Sequence, residues 1–299
     1  MNDSKKTIVV ALGGNALQKQ GEASSVAQQR VADETVRQLL PLITAGHRVA
    51  IVHGNGPQVG NIVLHEEAIN TTETPSLPLE DSGAMSQGLI GFWLQQAFHD
   101  AFKLKGINDK YAVSVVTQTV VDSSDPAFLN PTKPAEEEAK LQAARAEEEA
   151  RKVEAERNYV VKEDAGRGWR RVVPSPKPQE IVESSVIRAM VSAGIVVVST
   201  GGGGIPVLRA QDGTLHGVEA VIDKDFGAAK LADLLKADTL LILTAVDAAK
   251  INFNQPNEQS LREVSIEEMK KYIADNQFAA GSMLPKIQAS LDFLESGKD

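Results

Sequence analysis

Short runs of Val and Ile alternate along this chain with longer stretches in which apolar residues recur every three or four positions. The runs 7–12, 48–53, 112–119, 195–200 and 239–244 are rich in Val and Ile, as expected of strands buried on both faces of a parallel sheet. Between the first two, Val31, Val36, Leu39, Leu40 and Ile43 recur at roughly helical spacing, and Gly46 follows as a stop signal. Residues 7–53 therefore read as one βαβ unit. The same period predicts helices over 86–102, 179–192, 226–236 and 285–294. Strands and helices in alternation define an α/β fold built on a largely parallel sheet.

The alternation breaks at 125–178. Asp125-Pro-Ala-Phe-Leu-Asn-Pro-Thr-Lys-Pro134 opens this region and Pro174-Ser-Pro-Lys-Pro178 closes it. Prolines at both ends bracket an inserted subdomain within a single domain spanning 1–299. Inside it, residues 135–157 carry eight Glu against five Lys or Arg, with Leu141 and Val153 the only large apolar residues. High helix propensity without an apolar face predicts a solvated helix.

Composition narrows the function classes. Of 299 residues, 42% are apolar and 24% charged, proportions of a globular protein with a sizeable core. There is no Cys, which removes disulfides, thiolate zinc sites and cysteine nucleophiles and fits a reducing cytoplasm. No apolar run approaches the roughly 18 residues that would span a bilayer. With 31 Lys+Arg against 40 Asp+Glu, the net charge of −9 argues against nucleic-acid and anionic-membrane partners. Any phosphate must be gripped locally.

Glycines sit where such a grip would be. Gly13-Gly14-Asn15 ends the first strand, Gly54-Asn55-Gly56 the second, and Gly201-Gly202-Gly203-Gly204 a later one. At the carboxyl ends of parallel strands, glycine allows positive φ and a close approach of backbone N–H groups to an anion. A single such loop is better read as a tight turn; three at strand ends point instead to a shared ligand crevice. The P-loop and G-x-G-x-x-G patterns are absent, as is the second His of a zincin after His65-Glu66. His47, His53, His65, His99 and His216 have no metal-ligand spacing, so no metal site is expected. Ser86, in Ala84-Met-Ser-Gln-Gly88, half resembles a nucleophile elbow and reads as a helix-start residue.

Three lysines complete the candidate set. Lys224 lies between Asp223 and Asp225, with Asp225 a natural N-cap for the next helix. Lys286 follows Gly281-Ser-Met-Leu-Pro285 at a helix start, where a cation opposes the helix dipole and a bound anion would offset it. Lys133 stands between Pro131 and Pro134, on a stiffened segment that could aim its ammonium inward.

Gly13-Gly-Asn15, His53-Gly-Asn-Gly-Pro-Gln58, Ser86-Gln-Gly88, Asn130-Pro-Thr-Lys-Pro134, Glu163-Asp-Ala-Gly-Arg-Gly168, Ala220-Val-Ile-Asp-Lys-Asp225 and Gly281-Ser-Met283 with Pro285-Lys286 together resemble the carbamate kinase family of the amino acid kinase superfamily. The resemblance implies a three-layer αβα sandwich, a small mobile lid and a homodimer. It implies reversible phosphoryl transfer between carbamoyl phosphate and ADP, giving ATP and carbamate, with Mg²⁺ bridging the nucleotide phosphates and Asp225 near it. Carried over by motif, Lys224 and Lys286 are similar to phosphate-binding lysines, Asp225 to the acid that orients them, and Lys133 to a lid lysine. Gly13, Gly14, Asn15, Gly54, Asn55 and Gly56 resemble the loops that hold carbamate and the transferred phosphate. Gly202, Gly203, Thr244, Asp247 and Met283 would lie by the nucleotide. Carbamate attacks through an oxygen that is already anionic, so catalysis needs positioning and charge stabilisation rather than a base.

Two departures from the family pattern stand out. The charged 135–157 tract replaces an apolar, aromatic lid segment, and relatives continue beyond Glu295-Ser-Gly-Lys-Asp299 into a further strand. The competing readings are another phosphotransferase of the superfamily, a nucleotide-binding regulatory module, and a serine hydrolase based on Ser86. Retention of Lys133, Lys224, Asp225 and Lys286 favours the enzyme, since a sensor has no need of all four.

Overall fold

The computed structural model of the protein describes residues 5–19, 21–134, 160–163, 169–279 and 281–296. β1 (Thr7–Leu12), α1 (Ser25–Thr44) and β2 (Arg48–His53) form the expected βαβ unit. After α2 (Gly56–Ala68) and α3 (Leu79–Leu104) come β3 (Ala112–Ser114) and β4 (Gln118–Val121). β5 (Lys133–Pro134), β6 (Val160–Glu163) and β7 (Trp169–Val173) pair antiparallel in the order β5-β7-β6. This small sheet falls in the inserted region. β8 (Pro178–Ile181), α4 (Ser184–Ser192), β9 (Val196–Val198), β10 (Ile205–Arg209) and β11 (Leu215–Gly217) follow. The chain continues through α5 (Lys224–Leu235), β12 (Thr239–Leu243), the hairpin of β13 (Ala249–Ile251) and β14 (Gln259–Leu261), α6 (Ile266–Ala274) and α7 (Met283–Glu295).

The central sheet has the order β12-β1-β2-β9-β3, with every pair parallel. Side chains alternate across it. Ile8, Val10, Leu12, Val49 and Ile51 pack against Val36, Leu39, Leu94 and Phe98 of α1 and α3. Val9, Ala11, Ala50 and Val52 pack against Ile187, Leu231 and Phe293 of α4, α5 and α7. Burial on both faces explains why β1 is apolar almost without interruption, and the helix–sheet–helix layering is the one expected. A second sheet, β11-β10-β4-β8, combines one parallel and two antiparallel pairs.

Several boundaries differ from the expectation. The 112–119 run is two strands in two sheets, because at Thr117 the side chain of Gln87 replaces a neighbouring strand. The Thr117 N–H donates to Gln87 Oε1 at 2.7 Å, and Gln87 Nε2 donates to the Thr117 and Gly201 carbonyls at 3.2 and 3.0 Å. The 179–192 stretch is a strand followed by a helix; its apolar spacing had merged the inward-facing Ile181 of β8 with Ile187 and Val191 of α4. α3 begins seven residues before the expected 86, at Leu79, after Pro78. α2 and α6 were not anticipated, although α6 opens on a capping box between Ser265 and Glu268. The 135–157 tract lies outside the described residues.

Candidate active site

Parallel strands all end at one edge, and their loops share a crevice there. Along this edge β12, β1, β2 and β9 deliver Thr244, Gly13, Gly54 and Ser199 in that order. The loops continue the sheet's ladder: Gly13 N–H donates to the Leu243 carbonyl at 3.1 Å and Gly54 N–H to the Leu12 carbonyl at 3.0 Å. A Cβ at Gly13 would stand 2.9 Å from the Leu243 oxygen, so this approach requires glycine. Gly14 and Asn15 enter a 3₁₀ turn spanning Gly14–Ala16, and Gly56 begins α2.

α5 starts against this edge, and its cap differs from the expected one. Asp223 is the N-cap: its Oδ1 accepts the Asp225 N–H at 2.9 Å. Asp225 is thereby released for another role. It is 1% exposed, and its Oδ1 accepts Lys224 Nζ at 2.7 Å while its Oδ2 accepts Lys286 Nζ at 3.0 Å. One buried carboxylate thus holds two ammonium groups, each in the first turn of a helix whose dipole disfavours a cation. Burial, together with the Lys286 charge, holds Lys224 below the ordinary lysine range against the opposing pull of Asp225 and Asp223. The Lys224 stem crosses Gly54, where a Cβ would lie 3.2 Å from Lys224 Cδ. Lys133, at the start of β5, places Nζ 2.8 Å from Asp223 Oδ2. Three lysines distant in sequence therefore converge on two neighbouring carboxylates.

Asn55 Nδ2 donates to Ser86 Oγ at 2.8 Å, and Ser86 Oγ donates to the Gly83 carbonyl at 2.7 Å. Ser86 is fully buried well inside α3, so it neither starts a helix nor presents a nucleophile.

Gly202 and Gly203 lie apart from the rest of the expected nucleotide set. Gly201–Gly203 form the turn by which the chain leaves β9 in the central sheet for β10 in the second. Gly202, Gly203 and Gly204 have φ of 64°, 89° and 94°, values forced by that sheet crossing. Gly202 faces the Asn55 side chain, 2.5 Å from a built Cβ. β1 and β2 stand between this turn and Thr244, a separation of about 14 Å at ordinary strand spacing. Thr244, Asp247 and Met283, by contrast, line one cavity of about 300 Å³ with Lys286, Ile266 and Met269. Sequence reasoning missed the α6 wall of this cavity, although Ser265-x-x-Glu268 marks its start. Asp247 sits at the exposed rim, paired with Arg262 at 3.1 Å. Lys286 belongs both to the cavity and to the carboxylate pair, and so connects them.

Behind the Gly54 loop, His53 is 1% exposed with Nδ1 2.9 Å from the Gly54 carbonyl. Burial pushes its pKa down from 6.5 to about 4. Because the folded value lies below the unfolded one, the neutral ring contributes its full stability above about pH 6.5 and loses it as pH falls toward 4. The contribution is about 3 kcal/mol. Urea unfolding followed from pH 7 down to 4 should show this decline in the natural protein and not in His53→Gln; equal slopes would exonerate the histidine.

Among the described residues no helix is long and apolar enough to cross a membrane, and no group of three or more His, Cys, Asp or Glu is arranged to hold a metal. The family model "Amino acid kinase family" matches residues 6–299. The chain belongs to the amino acid kinase family. Within it, the carbamate kinase of Latilactobacillus sakei is 48% identical over 99% of this chain and 92% of its own length. That of Pyrococcus furiosus is 46% identical over 98% and 91%. The solved structure of carbamate kinase from Giardia lamblia bound to AMP-PNP superposes with a TM-score of 0.89 at 41% identity, covering 98% of this chain and 90% of that one. By these similarities the chain falls among the carbamate kinases.

Proposed function

We infer that this protein interconverts carbamoyl phosphate and ADP with carbamate and ATP, and that the Lys224–Asp225–Lys286 cluster is where the phosphoryl group passes. The observation carrying this reading is the single buried carboxylate, Asp225, between two lysines at two helix starts. The nucleotide occupies the cavity at the end of β12, with Thr244, Asp247 and Met283 about it and Lys286 reaching its terminal phosphate. Carbamate sits toward β2 and β9, against the Gly54, Asn55 and Gly202 backbone. The two substrates meet at Gly13 and Gly14 under Lys224, where the phosphoryl group passes in line from the carbamoyl oxygen to the ADP oxygen, or back. Carbamate brings its own negative oxygen, so the residues supply alignment and positive charge.

Mg²⁺ enters with the nucleotide and neutralises charge on its phosphates. Both Asp225 oxygens are engaged by lysines, and both Asp223 oxygens by Lys133 and the Asp225 N–H. That donor set suits a cation carried by the phosphates rather than one resident on the chain.

ATP formation from carbamoyl phosphate, ADP and Mg²⁺ tests the assignment. Turnover should vanish with EDTA, and Lys224→Ala should lower kcat by about 10²–10³, the effect of losing one charge-stabilising donor. Near-normal kcat in folded Lys224→Ala would remove that lysine from the mechanism, and ADP binding without turnover in the natural chain would favour a sensor.

The protein acts as a homodimer in the cytoplasm. Met85, Leu89 and Phe92 form an apolar stripe on one face of α3, 44%, 38% and 54% exposed, which a second copy would cover. Sedimentation should give a dimer that Phe92→Asp dissociates; an unchanged mass would exclude this face.

A further inference from the structure

We propose that Asp223 is a positioning residue that couples the inserted three-stranded sheet to the start of α5, so that Lys133 and the Lys224–Asp225 pair are set by one side chain. This rests on the phosphoryl site proposed above and on the likeness of Lys133 to a lid lysine that adds its charge there. The two oxygens of Asp223 do different work. Oδ1 accepts the Asp225 N–H at 2.9 Å and thereby fixes the first turn of α5, from which Lys224 and Asp225 project. Oδ2 accepts Lys133 Nζ at 2.8 Å, across ninety positions of sequence. The carboxylate is 14% exposed and Lys133 35% exposed, so the pair sits at the mouth of the crevice, where arriving phosphate can reach the ammonium.

A cap alone does not require a charge, since Asn caps about as well as Asp. Here burial disfavours the charged carboxylate, yet the Lys133 charge and hydrogen bond, the Asp225 N–H and Lys224 outweigh it and hold the group below the ordinary range. The charge therefore serves the lysine rather than the helix. β5 also pairs with β7, whose Arg171 is 7% exposed and ion-paired to Glu219, just upstream of α5. The inserted sheet is thus fastened to the segment leading into α5 at a second place, and Asp223 is the fastening that ends on candidate phosphate-binding groups. With the carboxylate present, Lys133 is delivered at one position relative to Lys224; without it, the ammonium moves on a long flexible stem and the three charges cease to form a fixed cradle.

The two functions separate by substitution. Asp223→Asn keeps the cap and removes the ion pair, whereas Asp223→Ala removes both. In the ATP-forming assay Asp223→Asn should lower kcat about tenfold to a hundredfold with little change in KM for ADP and a small fall in Tm, while Asp223→Ala should show the same kcat loss with a larger fall in Tm. The cycle with Lys133→Ala is decisive: Asp223→Asn in that background should cost almost nothing further, because its partner is already gone. Wild-type kcat in Asp223→Asn, or a loss that multiplies fully with that of Lys133→Ala, overturns the coupling. If Lys133→Ala itself turns over normally, the role assigned to Lys133 fails first, and the coupling with it.

Discussion

Asp225→Asn is expected to lower kcat by about 10³-fold while the Kd for ADP stays the same or falls. The carboxylate itself does not meet the phosphate. It holds Lys224 and Lys286 at 2.7 and 3.0 Å on its two oxygens, and asparagine can accept only one of them. Losing a single well-placed donor costs about 10²–10³ in rate, and here two ammonium groups lose their common anchor. Their charge remains, with less to balance it until the nucleotide arrives, so binding does not suffer as turnover does. The folded protein should also lose about 3 kcal/mol, the lower end for breaking a buried ion pair, because the lysine side chains are 13% and 21% exposed and water reaches them. Saturating ADP should restore part of that loss. A folded Asp225→Asn enzyme within threefold of normal kcat would refute the anchoring role.

The second large effect is structural. Gly203→Ala should lower stability by about 4 kcal/mol, combining left-handed backbone strain with forced overpacking, or about 10 °C in Tm for a chain of this size. Gly203 has φ of 89°, and a Cβ there would stand 2.5 Å from the Ile222 carbonyl oxygen, a backbone atom that no rotamer change can move. From the other side Gly227 of α5 packs against the Gly203 Cα, where its own Cβ would fall at 2.8 Å. Relief therefore requires α5 to shift, and Lys224 and Asp225 shift with it. Calorimetry within 2 °C of the natural protein would show that the turn yields more cheaply than this packing implies.

The central sheet was legible because β1, β2 and β9 are buried on both faces, which leaves a Val and Ile signal that solvent-facing strands lack. β5, with two residues, and β11 and β14, with three, carry no such signal. α2 was hidden because its start, Gly56-Pro57, reads as the end of a glycine loop. At the site, the residue types were legible and their partners were not. Asp223 and Asp225 look interchangeable beside Lys224, and only the direction in which α5 enters makes the first a cap and the second an anchor. The four glycines at 201–204 read as a phosphate loop, but their composition could not show that the same turn also carries the chain from β9 in one sheet to β10 in the other.

The sheet order also dictates when this protein can fold. β1 lies between β2 and β12, so Ile8 pairs with Val49 on one side and with Thr239 on the other. The first partner follows β1 almost at once during synthesis, whereas the second is translated roughly ten to fifty seconds later at about 5–20 residues per second. Throughout that interval β1, buried along its whole length in the finished fold, has one unpaired edge. A ribosome that stalls before β12 holds a nascent chain in which the side of β1 that β12 will cover is still open, and that edge is a template for pairing with other chains.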